Sequence, residues 1–199
     1  MYTGMDFALA GLSFTADDPL LWTALDASTL TGSAGPRTDL FVDPATGEAT
    51  LNAPRLLAPA PDGDFQLSAR VSVEFASTFD AGALVLWAGD DTWAKLAYEY
   101  SPQGRGMVVS VVTRGRSDDA NGYVVDDSVW LRISRVGEAY ACHASVDGVR
   151  WDFVRHFTLG TTAAAIGFEV QSPLGEACRA TFSTIAFSPT TLSDLRDGS

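Results

Sequence analysis

Cysteine and histidine are scarce in this chain, and their scarcity argues against the commonest metal and disulfide sites. The sequence has two cysteines and two histidines among 199 residues. The spacing of Cys142 and Cys178 matches neither a disulfide framework nor a zinc motif. His143 and His156 fall on different predicted strands, which is a weak pattern for a metal. We therefore expect no bound metal and no cofactor.

Long apolar runs and positive charge are also lacking. No apolar stretch approaches the ~18 residues of a membrane span, and the start, MYTGMDFALAGLSF, lacks the basic region and apolar core of a signal peptide. These absences predict a cytoplasmic protein. Lys and Arg number 13 against 25 Asp and Glu, a formal net charge of -12. Such a field repels nucleic acid and anionic membranes, so neither is an expected partner; alternatively, the acidity only maintains solubility.

The composition and spacing that are present favour an all-β protein. Hydrophobic residues make up 46% and aromatic residues 11% of the chain, and turn signals separate short strand-like segments at intervals of about 8–12 residues. The length is ordinary for one β domain. We predict a single domain over residues 1–199, built as a two-sheet antiparallel sandwich. A β-barrel is the competing all-β architecture.

The segment 129–157 has the clearest period of two. A turn at Gly137-Glu138 places Arg132 opposite His143, and a second turn at Asp147-Gly148 extends the pairing to a third strand. This register predicts one apolar and one polar face, because neighbouring strand residues point to opposite sides. The predicted core face holds Leu131, Ile133, Tyr140, Cys142, Ala144, Trp151 and Phe153. The predicted polar face holds Trp130, Arg132, Ser134, His143, Ser145, Asp152 and His156, with Arg132, His143 and Asp152 in one row.

A second hairpin is predicted between the strand segments 93–100 and 107–113. If Lys95 lies opposite Val112, then Lys95, Glu99 and Arg114 share a polar face. The following segment, TRGRSDDAN, is predicted to be a loop that brings Asp118 and Asn121 to the end of the same sheet. Capping of that loop by its own Asp and Asn side chains is the alternative, and calcium bound by Asp118, Asp119 and Asn121 is another.

These segments also resemble a known family. The runs DAGALVLWAGDDTWAKLAYEYS, VVSVVTRGRSDDAN, VWLRISR and HASVDGVRW, with NAPRLL before them and QSPLGEAC after them, are similar to the concanavalin A-like lectin/glucanase superfamily, specifically its "regulation of enolase" family. The resemblance covers most of the chain. It implies a jelly-roll sandwich of two curved sheets, whose concave face binds sugar in many relatives. It does not imply a particular activity.

Catalysis has less support in the sequence than binding. The glutamate–aspartate–glutamate strand motif of glucanases on this fold is absent, and the adjacent Asp pairs have the character of turns. Glu99 could act with a carboxylate from another strand, such as Glu169, but the sequence does not show that the two approach each other. An enzyme with an atypical acid pair and a regulatory protein-interaction module therefore remain alternatives.

The main prediction is a non-catalytic domain that binds carbohydrate, or another small polar ligand, on a polar sheet face. Mixed charged, amide and aromatic side chains suit hydrogen bonding to a sugar and stacking on its ring. The candidate ligand-binding residues are Trp87, Lys95, Glu99, Arg114, Asp118, Asn121, Trp130, Arg132, His143 and Gln171. A solvent-exposed polar ladder is the alternative for the row of Arg132 and His143. For Trp87 and Trp130 the alternative is burial under a loop or at the interface of a homodimer.

Overall fold

Residues 6–199 are described by a computed structural model, and almost all of their regular structure is β-strand. A single 3₁₀ turn, Pro19–Leu21, is capped by Asp18, whose carboxylate accepts a hydrogen bond from the Leu20 amide at 3.0 Å. The strands are β1 (Asp6–Leu9), β2 (Leu12–Ala16), β3 (Trp22–Asp26), β4 (Thr29–Ala34), β5 (Leu40–Val42), β6 (Ala49–Leu51), β7 (Arg55–Pro59), β8 (Phe65–Val73), β9 (Ala81–Trp87), β10 (Thr92–Tyr100), β11 (Gly106–Arg114), β12 (Ser117–Val124), β13 (Val129–Val136), β14 (Ala139–Ser145), β15 (Asp152–Phe157), β16 (Ala165–Gln171) and β17 (Cys178–Ser188).

The strands form two large antiparallel sheets and one small one. The eight-stranded sheet has the order β1-β2-β7-β16-β9-β10-β11-β12, and the seven-stranded sheet has the order β15-β14-β13-β8-β17-β4-β3. The third sheet is the β5–β6 hairpin alone. Two large sheets that pack face to face make a jelly-roll β-sandwich, as the sequence predicts.

The main core lies between the two large sheets. Phe14 and Phe168 of the eight-stranded sheet meet Phe182 of the seven-stranded sheet, with ring centroids 5.5 Å apart for Phe14–Phe168 and 4.9 Å apart for Phe168–Phe182. All three side chains are fully buried. Burying each aromatic side chain contributes about 1.5–3 kcal/mol, so this cluster is a large part of what holds the sheets together.

A second apolar cluster lies on the outer face of the eight-stranded sheet, beneath the β5–β6 hairpin. Leu40 and Val42 of β5 pack there against Ala83, Ala97 and other strand residues that point away from the main core. This cluster explains why nearly every residue of β9, β10 and β11 is buried. Strands that are covered on both faces lose the apolar–polar alternation of a half-exposed strand.

The β13–β14 register is as predicted, but the extension to β15 is wrong. Arg132 does pair with His143. On β15, however, Phe153 lies opposite His143, and Asp152 lies opposite Ala144. The predicted row of Arg132, His143 and Asp152 therefore does not form, and Phe153 lies on the outer face with its ring centroid 5.8 Å from that of His143.

The cause of this shift is the connection between β14 and β15. Asp147 Oδ1 accepts hydrogen bonds from the amides of Val149 and Arg150, both at 2.8 Å, which makes the turn wider than a two-residue hairpin. An irregularity between Cys142 and His143 shifts the pairing further. Trp151, predicted in the core, packs against the Arg132 guanidinium instead.

The β10–β11 register differs from the prediction by one residue. Lys95 pairs with Val111 rather than Val112. The loop 101–105 sets this register, because the Ser101 amide donates a hydrogen bond to the Arg105 carbonyl at 2.8 Å and Tyr100 pairs with Gly106. The outer face consequently carries Lys95 and Glu99 together with apolar residues of β11. Arg114 and Ser110 belong to the opposite face, because a shift of one residue exchanges the faces.

Residues 117–121, predicted as part of a loop, belong to strand β12 (Ser117–Val124) at the edge of the eight-stranded sheet. The strand is polar because its side chains are largely exposed. Edge strands commonly carry charged side chains, which discourage pairing with another chain. Among the described residues, no helix is long and apolar enough to cross a membrane.

Candidate functional site

A small polar cavity lies between the β5–β6 hairpin and the outer face of the eight-stranded sheet. Ala81, Ala83 and Ala97 occupy neighbouring positions of β9 and β10 on this face. Their short side chains leave space that larger residues would fill. We call the resulting cavity the hairpin pocket; its volume is about 190 Å³. It is lined by Asp39, Phe41, Phe79, Lys95, Glu99, Val109, Val111, Asp119 and Gln171.

Lys95 is the central cation of the hairpin pocket and the only lysine in the sequence. Its side chain is 2% exposed, and its Nζ lies 3.4 Å from Asp39 Oδ1. The ammonium also donates a short hydrogen bond to Gln171 Oε1, while Gln171 Nε2 donates to the Phe79 carbonyl at 3.0 Å. These contacts hold a charged donor and an amide in fixed positions at the cavity wall.

Two glutamates lie on the same face as Lys95. Glu99 is 8% exposed and lines the cavity, whereas Glu169 on β16 is completely buried. Neither carboxylate oxygen of Glu169 has a hydrogen-bond partner among the described residues. Burial raises the pKa of Glu99 to about 7 and the pKa of Glu169 to about 7, although Lys95 opposes both shifts. Both carboxyl groups thus exchange protons near neutral pH.

Lys95 stays charged in this setting. Burial by itself would lower its pKa, but the negative charges of Glu169, Asp39 and Glu99 together raise the pKa above its ordinary value. The hairpin pocket therefore presents one permanent cationic donor beside carboxyl groups that can either donate or accept a hydrogen bond. Such a combination suits a ligand with several hydroxyl groups.

Three of the ten predicted ligand-binding residues meet in the hairpin pocket: Lys95, Glu99 and Gln171. Trp87 lies on the same sheet, but the Arg55 guanidinium covers its ring at 4.1 Å from the centroid. Another side chain thus already occupies the stacking position predicted for a ligand.

The residues predicted near the end of β11 have other contacts. Arg114 donates to the Thr158 carbonyl at 3.1 Å. Asp118 forms an ion pair with Arg155, 2.9 Å between Nη2 and Oδ2. Asn121 is exposed on β12, where it pairs with Val109. None of these three side chains lines the hairpin pocket.

Trp130, Arg132 and His143 belong to the other large sheet, so the prediction of one shared polar face is wrong. Leu131 and Ile133 of β13 point into the core between the sheets, and the residues that alternate with them point away from it. The outer faces of the two sheets are on opposite sides of the sandwich. The polar residues of β13 and β14 therefore cannot reach the hairpin pocket.

The C-terminal segment covers part of this second face. His143 Nε2 lies 2.8 Å from the Leu195 carbonyl oxygen, and Nη2 of Arg132 donates a hydrogen bond to the Gly198 carbonyl. Arg196 packs over the Phe153 ring at 4.5 Å from its centroid. Burial, as the main cause, lowers the pKa of His143.

Sequence patterns did not indicate the pocket residues Asp39, Phe41 and Phe79, and they indicated Asp119 only as a possible calcium ligand. Asp39 and Phe41 come from the hairpin segment, far from β10 in sequence, so no local pattern could connect them to Lys95. The alternating small residues of β9 are the one available signal, since a strand interior seldom carries several alanines and a glycine without a close approach from elsewhere.

No group of three or more His, Cys, Asp or Glu side chains in the part of the chain that the structure describes is placed to hold a metal ion. In the acidic stretch considered for calcium, Asp118 is committed to Arg155. The polar groups that line the hairpin pocket are one glutamate, two aspartates, an amide and an ammonium, and the ammonium occupies the position where a cation would be attracted.

The fold and the pocket together define a jelly-roll β-sandwich protein with a polar cavity on one outer sheet face. The chain belongs to the DUF1349 family, described as proteins of unknown function, whose sequence model matches residues 17–190. No protein with a curated function matches the chain in sequence.

Solved structures share the fold at low sequence identity. A functionally unknown protein from Saccharomyces cerevisiae is 22% identical with a TM-score of 0.77, over 85% of this chain and 96% of that one. The GH43 BlXynB protein from Bacillus licheniformis is 12% identical with a TM-score of 0.72, over 89% of this chain and 37% of that one. A xylan beta-1,4-xylosidase from Bacillus halodurans is 13% identical with a TM-score of 0.68, over 86% and 35%. The chain thus spans about a third of the two Bacillus proteins, and the likeness is one of fold.

Proposed function

We propose that the protein binds a neutral carbohydrate in the hairpin pocket and that this binding is non-catalytic. The observation that carries the proposal is the fixed Lys95 ammonium, which is held with Gln171 at the wall of a cavity that also presents three acidic side chains and four aromatic or apolar ones. Ligand sites combine a mostly apolar lining with a few convergent polar groups in this way.

The polar groups match the hydroxyls of a sugar. Lys95 donates, Asp39 accepts, and Glu99 can do either because burial holds its pKa at about 7. Phe41 is partly exposed at the cavity and supplies a ring face for the apolar side of a sugar. A volume of about 190 Å³ lies below the ~300–1,000 Å³ of typical ligand pockets, so the pocket suits a single sugar ring better than a chain.

The comparisons agree with this proposal at the level of fold. The two Bacillus proteins are a GH43 protein and a xylan beta-1,4-xylosidase, so a similar fold occurs within longer proteins of these kinds. The concanavalin A-like resemblance of the sequence adds the same expectation. We also propose a cytoplasmic location, as predicted from the sequence.

Isothermal titration calorimetry with a panel of neutral sugars, including xylose, arabinose, glucose and galactose, tests the proposal. We expect saturable binding of at least one sugar, lost in Lys95→Met and weakened about 10-fold in Glu99→Gln, the loss expected for one hydrogen bond to a charged group. Glu176→Gln is the matched control, because Glu176 is exposed in the loop after β16. If no sugar binds, or if Lys95→Met binds as well as the wild type, the proposal is wrong.

Glycoside hydrolysis is the second candidate, favoured by the presence of Glu99 and Glu169 on one face with similarly raised pKa values. Two carboxyl groups that flank a common bond are what such hydrolysis requires. Glu169, however, is completely buried and does not line the cavity, which favours binding over catalysis. Release of reducing sugar from oligosaccharides, lost in both Glu99→Gln and Glu169→Gln, would reverse that preference.

A further inference from the structure

Arg132 is a buried cation that has no counter-ion in the described part of the chain. The residue is 7% exposed, and its Nε has no hydrogen-bond partner among residues 6–199. Its recorded contacts are the hydrogen bond to the Gly198 carbonyl and a packing contact with the Trp151 ring, 4.1 Å from Cζ to the centroid. None of the ion pairs in residues 6–199 includes it. A buried guanidinium is normally paired with an anion, because an isolated charge is costly to desolvate.

The Arg132 side chain lines an open cavity of about 630 Å³ on the outer face of the seven-stranded sheet. We call it the arginine cavity, because Arg150 and Arg196 line it as well. Trp151 and Phe153 form its aromatic walls, and Gln66 adds an amide. This cavity is separate from the hairpin pocket, because it lies on the opposite side of the sandwich.

We propose that the arginine cavity binds a sugar acid through its carboxylate, with Arg132 as the main contact. A guanidinium binds a carboxylate through two parallel N–H···O hydrogen bonds, which are roughly twice as strong as neutral ones. The two Nη groups at the end of the Arg132 side chain provide such a pair of donors, because its Nε–H is enclosed by neighbouring atoms. The volume of about 630 Å³ accommodates the sugar ring as well as its carboxylate.

The charged side chains of the cavity favour a ligand with a single negative charge. Arg132 is the lining guanidinium that is buried, and it belongs to none of the ion pairs among residues 6–199. Asp152 and Asp197 line the same cavity. A phosphate dianion brings a second negative charge close to these two aspartates and is repelled more strongly than a carboxylate.

Calorimetric titration of the full chain with sodium glucuronate tests the proposal, with glucose as the neutral match and inorganic phosphate as the alternative anion. Glucuronate should bind saturably, and Arg132→Gln should weaken it about 10- to 100-fold, the factor expected for hydrogen bonds between charged groups. Arg150→Gln, an exposed residue of the same cavity, should weaken it by a smaller factor and cannot disturb the core.

Arg70→Gln is the matched control. Arg70 also lies over a tryptophan of this sheet, 4.8 Å from the Trp130 centroid, but it does not line the cavity. Glucuronate affinity should be unchanged in that variant. The proposal is overturned if glucose binds there as well as glucuronate, if phosphate binds more tightly, or if neither Arg132→Gln nor Arg150→Gln reduces the affinity. This proposal is independent of the one for the hairpin pocket, which is tested with neutral sugars and with Lys95→Met.

Discussion

Glu169 should make the protein less stable as the pH rises, which is the reverse of the usual contribution of a carboxylate. Its pKa rises from 4.5 to about 7 on folding because the side chain is completely buried, and neither carboxylate oxygen has a hydrogen-bond partner among the described residues. Between these two values the native state binds more protons than the unfolded state. The contribution of Glu169 to the free energy of unfolding is therefore fully present below about pH 4.5, and it is lost as the pH rises through about 7.

The size of the effect follows from the shift. A change from 4.5 to about 7 in the pKa, at 1.36 kcal/mol per pKa unit, corresponds to about 3 kcal/mol between acid and neutral pH. Glu169→Gln removes the titration, because the amide has the shape of the protonated acid but never ionises. The variant should match the wild type near pH 4.5 and be more stable at pH 8 by up to about 3 kcal/mol.

Urea unfolding followed by tryptophan fluorescence at several values between pH 4.5 and pH 8 measures this difference. His143, whose lowered pKa contributes a slope of the opposite sign in part of this range, is present in both proteins and cancels. Glu176→Gln, the same change at an exposed position, retains Glu169 and should follow the wild type across this pH range. A Glu169→Gln protein that is equally or less stable than the wild type at pH 8 would refute the reasoning.

Two further predictions concern packing and cysteine chemistry. Gly167→Ala should destabilise the fold by about 1–3 kcal/mol, because a Cβ there would collide with the Leu56 carbonyl oxygen. Gly35→Ala has no atom near its Cβ position, so it should change the free energy of unfolding by less than about 0.5 kcal/mol in the same urea titrations. Equal effects of the two substitutions would contradict this account. Cys142 and Cys178 should resist a thiol reagent in the native protein and react after unfolding, because burial raises the pKa of each thiol to about 12. Rapid labelling of either cysteine in the native protein, followed by absorbance, would show that the thiol is accessible and would contradict this prediction.

The sequence reveals the strands better than it reveals their partners. Alternation located β13 and β14 and paired them correctly, since the two-residue turn at Gly137 fixes the register. It failed at β15, where hydrogen bonds from the loop amides to Asp147 widen the turn. Side-chain hydrogen bonds of this kind depend on the folded loop and have no period to detect.

The candidate site was recovered in part for a similar reason. Alternation separates residues that point toward the core from those that point away, but a sandwich has two outward faces. Lys95 and Arg132 were both correctly assigned outward, yet they lie on opposite sides of the molecule. The pairing order of the strands decides between the two faces, and it depends on long-range contacts. Asp39 reaches Lys95 through such a contact.

Burial of the single lysine has a practical consequence for chemical labelling. Apart from the amino terminus of the chain, the native protein offers an acylating reagent only one amine, and that amine is 2% exposed beneath the β5–β6 hairpin. Acylation of Lys95 therefore reports how often the hairpin lifts from the sheet. A ligand seated in the pocket would slow that reaction, so mass spectrometry of one residue could register occupancy without any label on the ligand.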